Sequence, residues 1–374
     1  MTVVDRGELT VLVLHWGRTA SGPALTLRIA DSLRGVPGVR ALISYSSDAE
    51  IAQDFAELGL DSFPVRTWAS ARDVPRALIE LPLTLTRLVL FLRRHRVDVV
   101  LVPMDQVLQS FVTWAFRLGG ASYVHCLHDG QLHLGEASRL HDRLRRIHLR
   151  PANRVVVFSE SVQQIALKDW GFRPDQVDLT HLPPIMGRET PRSSARSLPD
   201  DRPVVLGMFG RVVAYKGFDL AVEAGRLLRG RGQHVVVRLV GKGISSAVPD
   251  REEWLDLQDR WVGDTEVMET IAGFDLLLLP YREASQSGVL TEALALGVPV
   301  VATPVGGLSE QVTVAGAGRV ATAVSAGALA EAIDHLLDPE AYTAVSMAEL
   351  EAADGPMSWR GFMADVVDSL RRAR

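Results

Sequence analysis

Runs of consecutive apolar residues alternate along this chain with stretches in which apolar residues recur at helical spacing. LTVLVL at 9–14 opens the series, and Leu25, Leu27, Ile29, Ala30 and Leu33 follow it as one helix. VRALIS, VDVVLV, SYVHCL and RVVVF are the next strand candidates. A second set starts at Val204 with VVLGMF, continues through HVVVRLV and FDLLLLP, and ends near Val298 to Ala302. Strands that are apolar on both faces belong in parallel sheets covered by helices, so the alternation predicts an α/β protein with doubly wound sheets. Between the two sets, residues 181–203 (HLPPIMGRETPRSSARSLPDDRP) are rich in Pro, Ser, Arg and Asp and have no apolar period, which reads as a connection between domains. The expected division is an N-terminal domain over 1–185, a linker over 186–202, a C-terminal domain over 203–355 and a last helix over 356–374. That helix carries Trp359, Phe362, Met363, Val366, Val367 and Leu370 at helical spacing.

At 374 residues, of which 47% are hydrophobic, the chain has room for two buried cores. Lys and Arg number 40 against 45 Asp and Glu, a formal charge of −5, which offers no overall attraction for nucleic acid. The single cysteine, Cys126, rules out an internal disulfide and a cysteine-based metal site, and is read as a buried strand residue. LTVLVL is too short to span a membrane, and the apolar run from Leu78 to Leu92 is interrupted by Pro82 and Arg87. The expected location is cytoplasmic, soluble or peripheral at the inner face of the membrane.

Two strand-to-helix junctions carry the candidate chemistry. In the first, VVLGMF runs into GRVVAYKG (210–217), placing Gly210, Arg211 and Lys216 at the carboxyl end of a buried strand. In the second, FDLLLLP is followed by YREASQSG, so that Ser285, Ser287, Gly288 and Val289 open an apolar helix. Cations and the N–H groups of a helix N-terminus are what a diphosphate needs. Glu292 lies one turn further on, among Val289, Leu290, Ala293, Leu294, Ala295 and Leu296, where a carboxylate is costly unless it has a partner.

These strings resemble the group 1 family of nucleotide-sugar glycosyltransferases, of family 4 type, which are retaining enzymes of the GT-B fold. The resemblance rests on Gly210, Arg211, Lys216 and Gly217, on LVGKG at 239–243, on Glu292, on GVPVVAT at 297–303, and on Gly306, Gly307 and Glu310. It implies two Rossmann-like domains facing across a cleft, the last helix crossing back to the N-terminal domain, and a nucleoside diphosphate sugar as co-substrate with no further cofactor. The family's first acid falls at Ala284 here, with Glu283 adjacent, and the Ser-Gln-Ser-Gly string points to a variant subgroup. Glu310 suits a helix cap as well as a ligand contact.

The N-terminal half offers two loops. GRTASGP (17–23) is similar to the family's glycine-containing loop that approaches the donor phosphates, with Gly22 as the contact, and it equally suits an ordinary strand-to-helix turn with Pro23 in the first turn. HDGQLHLGE (128–136) sets dense polar groups at a strand's carboxyl end, and its resemblance to a loop of exopolysaccharide-type members implies that His128 faces the donor sugar. A plain structural loop and a metal site drawn from His125, His128, Asp129 and His133 are the competing readings. The basic run RLHDRLRRIHLRPANR (139–154) has Leu140, Leu144 and Ile147 on one side and Arg139, Arg143, Arg146 and Arg150 elsewhere, as a solvated helix or one that meets an anionic membrane would.

The expected activity is metal-independent transfer of a sugar, with retention, to a lipid-linked or growing glycan of envelope or exopolysaccharide assembly. Arg211, Lys216 and the N–H groups near Ser287 and Gly288 would stabilise the leaving diphosphate. Glu292 would accept from the ribose hydroxyls, and Glu283 would touch the sugar if it replaces the missing acid. The alternatives are a sugar-nucleotide epimerase of the same architecture and a catalytically silent nucleotide-sugar-binding subunit.

Overall fold

All twelve described strands take their hydrogen bonds from neighbours that run parallel on long crossover connections, and the computed structural model shows how the chain arranges them. It describes residues 7–19, 21–67, 74–106, 111–131, 139–186, 194–248 and 252–374. The first half runs β1 (Leu9–His15), α1 (Ser21–Arg34), β2 (Val39–Tyr45), α2 (Ala52–Glu57), α3 (Val74–His95), β3 (Val99–Val102), α4 (Thr113–Gly119), β4 (Ser122–Leu127), α5 (Arg139–Leu149), β5 (Arg154–Val157), α6 (Glu160–Lys168) and β6 (Val177–Leu179). The second runs β7 (Val204–Phe209), α7 (Phe218–Gly230), β8 (Val235–Val240), α8 (Ile244–Ala247), β9 (Leu255–Gln258), α9 (Val267–Ala272), β10 (Leu276–Leu279), α10 (Gly288–Leu296), β11 (Val300–Ala302), α11 (Gly306–Ala315), β12 (Arg319–Val320), α12 (Ala326–Leu336), α13 (Pro339–Asp354) and α14 (Trp359–Ala373).

Each half holds one parallel six-stranded sheet, in the orders β2-β1-β3-β4-β5-β6 and β12-β11-β10-β7-β8-β9. These are two Rossmann-like halves, as the strand–helix alternation predicts. The order reverses between β1 and β3 in the first sheet and between β7 and β10 in the second. Ligands of open α/β sheets bind at such switch points, beyond the strands' carboxyl ends. GRVVAYKG follows β7 and YREASQSG follows β10, so both junctions found in the sequence flank the second switch point.

The central strands are buried throughout, including Val99 to Val102 and Leu276 to Leu279, because helices cover both faces of each sheet. Leu182 and Ile185 still belong to the first core, whereas Met186 already packs on the second. Residues 187–193 of the expected linker lie outside the described residues. From Arg196 on, the chain is tied to the second half: Arg196 donates to the Ala272 and Phe274 carbonyls at 3.0 Å, and Arg202 pairs with the buried Asp275 at 2.6 Å.

Helix α14 lies against the first sheet. Its Phe362, Met363, Val366, Val367 and Leu370 join the core formed by β1, β2 and α1. Trp359 Nε1 donates to Ser32 at 2.8 Å, and Thr180 donates to Asp365 at 2.7 Å, which orient the two ends of the contact. Phe362 is buried between Phe158 and Trp359. Phe362→Ala is expected to lower unfolding stability by about 3 to 5 kcal/mol, read by urea denaturation.

Candidate active site

Close backbone approaches hold the loops after β7 and β10 together. Gly217 adopts a left-handed conformation (φ 72°), and any side chain there would strike the Pro280 carbonyl. Arg282 locks the pair: its N–H donates to the Tyr215 carbonyl at 2.6 Å, and its guanidinium grips Asp219 at 2.6 and 3.0 Å. Lys216 is half-buried under this clasp, its ammonium 5.2 Å from the Tyr281 ring and against Gly210. Gly210, at φ 133°, leaves the room that the Lys216 ammonium occupies. Arg211 is exposed at the same strand end.

At the second junction Ser287 caps α10, its hydroxyl accepting from Leu290 N at 3.4 Å. Its own N–H is already given to Gln311 Oε1 at 2.7 Å, so that donor is not open to a phosphate as the sequence reading had it. The first-turn N–H groups of Gly288 and Val289 have no carbonyl of the helix to bond, and the space beside the Gly288 Cα is open. Ser285 is buried, whereas Glu283 and Ala284 are half-buried. Gly306 and Gly307 let the start of α11 touch the Ala284 and Ser285 carbonyls, where a side chain at either position would collide.

Three side chains reach across the two halves. Glu292 is buried in α10, and its Oε1 accepts from Ile185 N at 2.6 Å and Met186 N at 2.9 Å, where the chain crosses over. Glu310 accepts from Glu160 N with both oxygens, at 2.8 and 2.9 Å, so it caps α6 of the opposite half and not its own helix. Burial raises the Glu310 carboxyl above its ordinary value despite that bond. Gln286 Nε2 lies 3.2 Å from His128 Nδ1.

His128 directly follows β4 and is buried against Phe158. Its Nε2 lies 2.8 Å from the Pro103 carbonyl, which can only accept, so the ring proton sits on Nε2 and Nδ1 is the acceptor turned toward the second half. Burial holds this imidazole below its ordinary range, so it is neutral at physiological pH. The loop from Leu132 to Glu136, with His133, lies outside the described residues. Gly22 is buried in the first turn of α1; a side chain there or at Gly17 would strike His15. Burial holds His15 down at about 4.

Behind His128 sits a buried polar network that the sequence reading missed. Asp105 Oδ1 lies 2.7 Å from His125 Nε2 and 3.1 Å from His148 Nε2, and Oδ2 accepts from Arg145 at 3.0 Å. Tyr123 Oη lies 2.9 Å from His125 Nδ1, and Arg145 also donates to the Asp129 carbonyl, bracing the segment that carries His128. Burial opposes charge on Asp105, yet the two imidazoles outweigh it and hold the carboxyl well below its usual range. Burial likewise brings His125 down to about 4 and drives the Cys126 thiol up to about 12, so that thiol is inert.

The grouping of Asp105, His125 and His148 has the residue types of a metal site. Asp105 Oδ1 lies 2.7 and 3.1 Å from the two Nε2 atoms, closer than the roughly 3.3 Å between tetrahedral ligands about 2.0 Å from a metal. The Arg145 guanidinium on the same carboxylate would also repel a cation. The geometry therefore fits an ion-pair network. It also inverts the helix expected over 139–154: Arg145, His148 and Leu149 face inward, and Ile147 is exposed with Arg143, Arg146 and Arg150. Arg145 is thus not a surface cation.

The fold and these strand ends define an α/β protein of two Rossmann-like halves, with two strand-to-helix junctions flanking the switch point of its second sheet. The sequence matches "Glycosyl transferases group 1" over residues 203–339 and "Glycosyl transferase 4-like domain" over 26–183, together most of the chain. It belongs to the group 1 glycosyltransferases, with the GT-B fold. It is 27% identical over 293 residues to 2-deoxystreptamine glucosyltransferase of Streptomyces kanamyceticus, covering 72% of this chain and 74% of that one. D-inositol 3-phosphate glycosyltransferase of Mycobacterium tuberculosis is 29% identical over 203 residues, 50% of this chain and 41% of that protein. The crystal structure of Anabaena HepE in complex with UDP-glucose superimposes with a TM-score of 0.72 at 18% identity, covering 97% of this chain and 100% of that one.

His15 and His125 take up protons near pH 6.5 when unfolded but near pH 4 when folded. The unfolded chain therefore binds more protons between those values, and stability falls as the pH drops through that window. The depressed Asp105 carboxyl adds a loss of the same sign at lower pH. The midpoint of thermal unfolding, followed by circular dichroism, is expected to decline from pH 6.5 to pH 4 and to decline less in His125→Asn.

Proposed function

We propose that this chain transfers a sugar from a nucleoside diphosphate sugar, with retention and without a metal, to a lipid-linked or growing glycan of envelope or exopolysaccharide assembly at the cytoplasmic face. One observation carries the reading: Lys216 and the first turn of α10 lie at the neighbouring ends of β7 and β10, with His128 of the other half reaching Gln286 across the cleft. When the acceptor hydroxyl bonds to the anomeric carbon, the bond to the diphosphate breaks, its electron pair passes to the departing oxygen, and the hydroxyl's proton leaves with the diphosphate. Lys216, Arg211 and the N–H groups of Gly288 and Val289 stabilise that growing charge, which removes the need for a metal.

His128 orients the donor sugar by accepting a hydroxyl at Nδ1 in place of the Gln286 amide, since Nε2 is committed to Pro103. Gly22 and the turn at Ser285 border the donor, and Glu292 meets the ribose while holding the crossover. Glu283 contacts the sugar in place of the acid missing at Ala284. A small soluble polyol is the second acceptor reading, favoured by the names of both curated relatives, which act on 2-deoxystreptamine and D-inositol 3-phosphate. Incubating a labelled donor with a lipid-linked glycan in one arm and a free cyclitol in the other separates these; transfer in neither arm counts against both.

Lys216→Ala and Arg211→Ala each remove a charge-assisted contact of about 1.5 to 3 kcal/mol, so kcat/KM should fall roughly tenfold to a hundredfold. Unchanged kinetics in both variants would remove the phosphate assignment. Activity in EDTA is expected to equal activity with added Mg²⁺, and a loss that Mg²⁺ or Mn²⁺ restores would contradict the metal-free mechanism. Glu283→Gln is expected to lower turnover while leaving affinity for the bare nucleoside diphosphate unchanged, as isothermal calorimetry beside a turnover assay would reveal.

A further inference from the structure

Helix α3 buries one side, with Leu88 and Leu92 fully covered and Leu85 and Val89 partly so, and leaves an unusual opposite side. At about 100° per residue, Ile79, Leu83, Thr86, Arg87, Leu90, Arg93 and Arg94 fall within an arc of roughly 120°. Ile79 is 79% exposed, Leu83 54% and Leu90 60%. The neighbouring helix α4 repeats the pattern, with Trp114 52% and Leu118 64% exposed and Arg117 beside them. Arg93 donates to the Leu118 carbonyl at 3.2 and 2.9 Å, so the two exposed faces adjoin. Single exposed apolar residues are ordinary, but large ones adjoining along two helices mark a surface that meets something.

Charge decides what it meets. The two helices contain one acid, Glu80, against Arg87, Arg93, Arg94 and Arg117 on these exposed faces. None of Arg87, Arg94 and Arg117 pairs with an acid among the described residues. We propose that this face of α3 and α4 docks on an anionic lipid bilayer, with Ile79, Leu83, Leu90, Trp114 and Leu118 entering the headgroup boundary and the arginines meeting lipid phosphates. Arginine suits this because its apolar stem lies along the buried side chains while the guanidinium reaches the phosphate. Trp114 suits the polar–apolar boundary for the same reason. No helix among the described residues is long and apolar enough to cross a membrane, so contact through this face is interfacial. The surface is distinct from the basic helix over 139–154, where Arg145 is spent on Asp105.

The inference rests on the proposed function only for the lipid-linked acceptor, and its test uses neither donor nor acceptor, so each can fail alone. The full chain is floated with phosphatidylcholine vesicles that contain or lack phosphatidylglycerol, at low and high salt. Binding is expected only with phosphatidylglycerol and should weaken in high salt. Leu83→Glu combined with Leu90→Glu should abolish it, and Arg87→Ser combined with Arg94→Ser should weaken it by roughly fivefold per arginine. Far-UV circular dichroism and the midpoint of thermal unfolding, unchanged in both variants, show that they are folded. The proposal is overturned if the wild type ignores anionic vesicles, or if both folded variants bind like the wild type. Light scattering that shows a dimer split by the leucine substitutions would assign the face to a second copy instead.

Discussion

Glu292 Oε1 accepts the N–H groups of both Ile185 and Met186, the residues at which the chain leaves one core and enters the other. A carboxylate inside an apolar helix bears a large desolvation cost, and two backbone donors at 2.6 and 2.9 Å offset it. Because Glu292 sits on α10, the bond fixes the helix whose N-terminus lies at the switch point relative to the crossover between the halves. Glu310 capping α6 and Gln286 meeting His128 then set the rest of the cleft. The same carboxylate therefore serves both the architecture and the proposed ribose contact, which is why loss of donor binding in a Glu292 variant would carry a structural component.

The first half solves a different problem. His15 ends β1 and His128 follows β4, and burial holds both imidazoles below their ordinary range. Behind them the half-buried Asp105 sets Oδ1 against His125 and His148 and pairs Oδ2 with the Arg145 guanidinium. Removing one member would leave a buried charge short of partners, which costs more than the bond itself contributes. That network also explains why α5 turns a basic residue inward, and it leaves the apolar–basic face of α3 and α4 as the surface whose composition suits a membrane.

Much of the second half was legible because its chemistry is local. The strings around β7 and β10 combine a buried strand, a turn and a helix start within a few residues, and the topology then brings both to one switch point. The strands missed in the sequence, β6, β9 and β12, are all sheet edges. Edge strands are short and need only partial burial, so their apolar signal is weak; Leu255–Gln258 is buried only at Leu255, and Arg319–Val320 not at all. Helix α3 was hidden because Pro82 reads as a break, yet the helix Val74–His95 runs through it, held by packing of its core face. The face of α5 was misassigned because apolar spacing is a sound guide only where polar residues lack buried partners, and here Asp105 supplies one.

By itself the sequence determined the fold class and the positions of the two strand-to-helix junctions, since both follow from periodicity and from residues adjacent in the chain. The tertiary structure decided the partners of Glu292, Glu310, Gln311 and Asp105, because each bond joins residues that no local pattern relates. Buried polar groups are satisfied by whatever the packed chain brings within about 3 Å, and that distance is a property of the fold and not of the string.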